Sequence, residues 1–164
     1  METFQLSEKL LKKIANLILA KKNTPLKKIV KDIHFADMAE IINELNEDQG
    51  VYLIKLFDSE KTSEILTELD EDVREKILKV LSVKEIADEI EELDSDDAAD
   101  ILGELSEKRK EEVISEISDN DLADDLKELL SYKEDSAGGL MAKELVQVNE
   151  NWSVTKCLKE IKKQ

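Results

Sequence analysis

The sequence predicts an all-α protein: a superhelical solenoid of short helical hairpins built from 12-residue helical units, with a short C-terminal βα fragment. Three observations carry this. Four glycines and one proline in 164 residues leave few interruptions to helix. From residue 34 the chain divides without a gap into eight consecutive twelve-residue units. Positions 5, 8, 9 and 12 of each unit supply the i, i+3, i+4, i+7 stripe of an amphipathic helix.

The units read HFADMAEIINEL, NEDQGVYLIKLF, DSEKTSEILTEL, DEDVREKILKVL, SVKEIADEIEEL, DSDDAADILGEL, SEKRKEEVISEI and SDNDLADDLKEL. The last seven open on Asn, Asp or Ser, all good N-caps. Ser82-x-x-Glu85 is a capping box and Asp94-x-x-Asp97 a weaker analogue. The ninth position is Ile or Leu throughout: Ile42, Ile54, Leu66, Leu78, Ile90, Leu102, Ile114 and Leu126. Each unit is a cap plus a helix of about ten residues, roughly 15 Å long. Helices so short are unstable alone and must stack, two units making one hairpin.

Two basic amphipathic helices precede the repeat. "LSEKLLKKIANLILAKK" is the first; "TPLKKIVKDI" is the second, with Thr24 as cap and Pro25 at the first helical position. Such helices can lie on membranes. Capping the helical stack is the plainer reading, and their positive charge can also face the acidic body. After the repeat, Gly138-Gly139 breaks the pattern, "ELVQV" alternates like a strand, and Ser153 caps the helix "VTKCLKEIKK". One strand makes no sheet, so this tail reads as the opening of a larger domain. Its apolar groups are expected to be covered by a second copy, with Gly138-Gly139 as the hinge.

Composition narrows function. The longest apolar run, "IANLILA", is far short of a membrane span, and no signal-peptide pattern opens the chain. A lone cysteine, Cys157, suits a reducing compartment. Residues 1–33 carry eight Lys against three acids, whereas residues 34–130 carry ten Lys/Arg against 32 acids. That acidic surface repels nucleic acid and anionic lipid. With one His, one Cys, no Gly-rich loop before a helix and no Ser-His-Asp set, the chain is not expected to be an enzyme. His34 stands at a cap position and reads as a helix-start residue.

The acids remain to be explained. "DSDDAADILGEL" lacks the ligand at position 5, the glycine at 6 and the glutamate at 12 of an EF-hand loop. Asp96 and Asp97 lie in a first helical turn, where the dipole favours anions; Asp100, i+4 from Asp96, does not. Position 7 is acidic in six units, and Glu40, Glu64, Asp88 and Glu112 should form one column if hairpins stack every 24 residues. A carboxylate column repels itself unless a cation sits on it.

"IADEIEELDSDDAADILGEL" followed by "YKEDSAGGLMAKELVQVNENWSV" resembles the cytosolic part of the MgtE family of bacterial magnesium transporters and channels. The resemblance implies a helical N domain over residues 1–130, and over 131–164 a linker and the truncated start of a CBS domain. It implies a regulatory, Mg²⁺-sensing domain at the cytoplasmic face of the cell membrane, whose bound Mg²⁺ at the N–CBS interface favours the closed state. The implied metal ligands are Glu64, Asp96, Asp100 and the carbonyl of Gly139, with Asp97 and Asp135 as further neighbours. Implied partners are the CBS and transmembrane domains of the full-length transporter and a second copy in a homodimer. Neither nucleic acid nor, except through the transmembrane part, the membrane is among them. CBS-side ligands are absent, so Mg²⁺ binding is expected to be weak and no nucleotide site is expected. The alternative class is a structural helical scaffold for a basic protein partner, like those of the flagellar motor switch, which carry a related motif.

Overall fold

The computed structural model describes residues 6–133, 135–144 and 148–161. Among them are eleven helices and no strand. α1 (Glu8–Leu19) and α2 (Asn23–Val30) precede eight repeat helices: α3 (Phe35–Asn43), α4 (Glu47–Ile54), α5 (Ser59–Glu68), α6 (Glu71–Val80), α7 (Val83–Ile90), α8 (Ser95–Gly103), α9 (Glu107–Glu116) and α10 (Asn120–Leu129). α11 (Val154–Ile161) follows. Each unit yields one helix, as its pattern demands.

Helices two apart pack together. α3, α5, α7 and α9 form one column, α4 on α6 and α8 on α10 build the other, and α1 closes the N-terminal end against α2 and α4. Seven of the eight ninth-position residues are buried, Ile114 being half-buried. They join Ile14, Leu26, Met38, Ile41, Leu53 and others in one continuous aliphatic core. Stacking therefore stabilises each helix that is too short to persist alone.

Caps follow the pattern in part. Asn46, Asp58 and Ser82 accept from the third helical N–H, Ser82 with Glu85 as a full capping box, and His34 Nδ1 accepts from Ala36 N at 3.3 Å. Asp70, Asp94 and Ser106 stand at the cap without a side-chain bond, and α10 takes Asp119 rather than Ser118. α2 begins before Thr24, with Lys22 as cap following Lys21 at φ 51°. Pro25 thus sits third in the helix, still within the first turn, where its missing N–H costs nothing.

A second set of contacts joins each helix to the one three further on. Lys61 of α5 donates to the carbonyls of Val30, Lys31 and Ile33 at the end of α2, at 3.3, 3.3 and 2.9 Å. Asn43 of α3 accepts from Asp70 N, which starts α6, at 3.3 Å. Lys55 after α4 pairs with Glu85 of α7 at 2.8 Å. Arg109 of α9 donates to Leu78 O at 3.2 Å and to Leu81 O, both at the end of α6. Glu91, ending α7, accepts from Ser118 N and Asp119 N ahead of α10. Cations on C-terminal carbonyls and carboxylates on N-terminal amides both complement the helix dipole.

The tail departs from expectation. A Cβ added to Gly138 would lie 2.6 Å from the Tyr132 ring, so this glycine is a close-packing position and not a free hinge. Ser153 caps α11 as expected, its hydroxyl accepting from Lys156 N at 3.3 Å. Leu145, Val146 and Gln147 of the expected strand lie outside the described residues. No residue of α11 is buried, and Val148, Val154, Leu158 and Ile161 are exposed.

Candidate functional site

Position 4 of the unit enters three of these joints. In α5 it is Lys61, in α7 Glu85 and in α9 Arg109, each matched to what it meets. In α8 it is Asp97, and the group acting on it from the end of α5 is another acid, Glu68. Desolvation first, then Asp96, Asp94, Asp100 and Glu68, push the Asp97 carboxyl above its ordinary value. Glu85 is the opposite case: Lys55, then the Ser82 backbone N–H, hold it down to about 2.

The α5–α8 joint tolerates an acid at this position because another residue already holds the end of α5. Arg74 of α6 donates from Nη1 to the carbonyls of Leu66, Thr67 and Leu69 at 3.1, 3.4 and 3.4 Å, and from Nε to Glu104 at 2.9 Å. The Arg74–Glu104 pair is largely shielded, each side chain 16% exposed.

The linker closes the N-terminal end of α8. Ser95, fully buried, donates N–H and hydroxyl to the two oxygens of Glu144 at 2.9 and 3.0 Å, and accepts from Lys143 N at 2.8 Å. Burial opposes ionisation of Glu144, yet its own backbone N–H, then the N–H and hydroxyl of Ser95, hold its carboxyl below the ordinary value. The Lys143 ammonium meets Glu128 at 2.8 Å and Asp125 at 3.8 Å on α10. Glu144 thus serves α8 where the Asp94 side chain makes no cap bond.

The expected ligands divide among three places. Asp100 and Gly139 line one cleft of about 410 Å³, shared with Arg74, Glu104, Lys110 and Tyr132. Asp96 and Asp97 stand in the first turn of α8, with Glu68 acting electrostatically on Asp97. Glu64 lines a different depression, beside His34, Phe35 and Lys61. Asp135 is exposed in the turn after α10. Among the described residues no three His, Cys, Asp or Glu side chains are grouped to hold a metal. A caged metal centre does not fit this arrangement. A hydrated hard cation does, because Mg²⁺ keeps several waters and needs only one or two carboxylates.

Glu68, Ser95, Glu144 and Glu89 escaped the sequence reading. Glu89 alone left a signal: it stands at position 8, which is apolar in six of the other units. Burial, then Asp88, Glu85, Glu92 and Asp58, push its carboxyl up to about 8, and its Oε2 is buried without a hydrogen-bond partner.

The model of the MgtE intracellular N domain matches residues 33–135. The chain belongs to that family. Among curated proteins nothing matches. Two solved structures share the fold. One, "Crystal structure of the soluble part of a magnesium transporter", has a TM-score of 0.79 and 20% identity and covers 95% of this chain. The other, "Crystal structure of the cytosolic domain of the Mg2+ channel MgtE in complex with ATP", has a TM-score of 0.81 and 24% identity and covers 93%. The chain spans 61% and 62% of those two chains. Among the described residues no helix is long and apolar enough to cross a membrane.

Proposed function

We propose that this chain is the regulatory, Mg²⁺-responsive cytosolic part of a magnesium transporter or channel, with residues 131–164 leading into a CBS domain. The observation that carries the reading is the acid group at the start of α8, where desolvation, then Asp96, Asp94, Asp100 and more weakly Glu68, raise the carboxyl of Asp97. Family membership supports it, as does the likeness to the soluble part of a magnesium transporter and to the cytosolic domain of an Mg²⁺ channel.

The chemistry is electrostatic. Acids held together without a cation repel, and a divalent ion between them converts repulsion into attraction. When bound, Mg²⁺ supplies a compact double charge and carries its own waters. The protein's residues supply the rest: Arg74 fixes the end of α5, Glu144 fixes the start of α8, and the acids between them set the charge. An element whose two arrangements differ in cation affinity responds to cation concentration. In the complete transporter that response would favour the closed state, with a second copy covering the exposed face of α11.

Mg²⁺-dependent protection from protease in the complete transporter tests this. Asp97→Asn, Asp100→Ala and Glu64→Ala are expected to weaken the protection while leaving the fold of the 164-residue chain intact, because Glu64, Asp97 and Asp100 are exposed. Unchanged protection in all three variants would favour the scaffold reading.

A further inference from the structure

The N-terminal end of the solenoid is built oppositely to its body. Between residues 9 and 31 there are eight lysines and no acid. All eight are exposed. Among the described residues only Lys12 of the eight is in an ion pair, with Glu8. From residue 34 on, Lys and Arg are mostly engaged. Nine stand in ion pairs, and Lys61 and Arg109 grip helix carbonyls. The expectation that the N-terminal lysines face the acidic body is therefore not met by any ion pair among the described residues.

Helix stability accounts for only two of them. Lys27 and Lys28 stand in the last turn of α2, where the dipole favours cations. Lys9, Lys12 and Lys13 lie in the first half of α1, where it does not. The apolar stripe of α1 is already spent on the core, Ile14 and Ile18 being buried. Leu19, close to Lys21 and Lys22 in sequence, is 72% exposed.

We propose that this end face docks on an anionic lipid bilayer, by electrostatic attraction of unpaired lysines to headgroups and without insertion of a helix. The occupant is chosen by charge complementarity and by direction. Lys9, Lys12, Lys13 and Lys22 line one depression, and Lys27, Lys28 and Lys31 another beside Asp58 and Lys61. These lysines attract anionic lipid while the acid-rich body is repelled, so the solenoid stands end-on. The inference rests on the transporter reading only in having a bilayer beside the domain. Vesicle binding and the Mg²⁺ response are separate measurements, so either can fail alone.

The test is co-sedimentation of the 164-residue chain with vesicles of phosphatidylcholine, with and without phosphatidylglycerol, at low and high salt. Binding is expected only with phosphatidylglycerol and should fall as salt shortens the Debye length. Each lysine contributes about fivefold in partitioning, so Lys9→Gln/Lys13→Gln and Lys27→Gln/Lys28→Gln should each bind about thirtyfold more weakly. Lys79→Gln/Lys84→Gln, on paired lysines of the body, should bind as the parent does. Circular dichroism confirms that each variant is folded. Equal binding to pure phosphatidylcholine, no binding at low salt, or loss in the body variant equal to that in the end-face variants would overturn the proposal. So would lysine-dependent self-association by light scattering in place of vesicle binding, since a second copy would then be the occupant.

Discussion

The α6–α9 and α5–α8 joints have the same place in the repeat and opposite chemistry. At the first, Arg109 reaches the carbonyls that end α6; at the second, the same register position is Asp97, on which Asp96, Asp94, Asp100 and Glu68 act. One joint is sealed by its own residues. The other gathers like charges, and its helix ends are held by other residues, Arg74 at the end of α5 and Glu144 at the start of α8. A solenoid of near-identical units can therefore place opposite chemistry at equivalent joints, Arg109 on carbonyls at one and Asp97 among acids at the other.

Removing an outside clamp should break the comparison most. Arg74→Ala leaves the carbonyls ending α5 without their donor and Glu104 without its partner. It is expected to cost about 3 kcal/mol in urea unfolding. A loss under about 1 kcal/mol would mean that the end of α5 is satisfied without it.

Glu89 comes next and sharpens the account through pH. Its folded carboxyl titrates near 8, above its ordinary 4.5, so the folded state holds the proton more tightly. Its contribution is fully favourable below about 4.5 and is lost as pH rises through about 8. Glu89→Leu, restoring the apolar register, should stabilise the protein at high pH by on the order of 3 kcal/mol and flatten the decline between pH 5 and 8. Glu85 acts in the other direction, its stabilisation being lost as pH falls from about 4.5 to about 2. Melting temperature followed across pH in the parent and Glu89→Leu separates the two.

Gly138→Ala is a smaller perturbation. The new methyl must displace the Tyr132 ring, which is expected to cost about 1–2 kcal/mol. Near-UV circular dichroism should register the ring's movement.

The repeat itself was legible because its signal is local. Position 9 is apolar in every unit, and it is the residue that the core takes. His34 and Ser82 could be read as helix starts for the same reason. What governs the joints spans 27 to 31 residues, as in Asn43 to Asp70 and Arg109 to Leu78. Nothing in a twelve-residue window tells which acid Asp97 will face. Nor does spacing reveal that Glu144 will cross to Ser95, 49 residues away. Glu64, placed with Asp96 and Asp100 by resemblance, lines another depression in this structure.

The smallest effect bears most directly on the central claim, that the α5–α8 joint responds to a divalent cation. Melting temperature is compared in millimolar MgCl₂ and in NaCl of equal ionic strength, for the parent and for Asp97→Asn. At a cation concentration equal to its Kd the stabilisation is about 0.4 kcal/mol, or about 1–2 °C for a chain of this size. The parent is expected to melt higher in MgCl₂, and Asp97→Asn to melt slightly above the parent in NaCl while losing most of the difference. Identical melting of the parent in the two salts, or a full Mg²⁺ response retained in Asp97→Asn, would contradict the account.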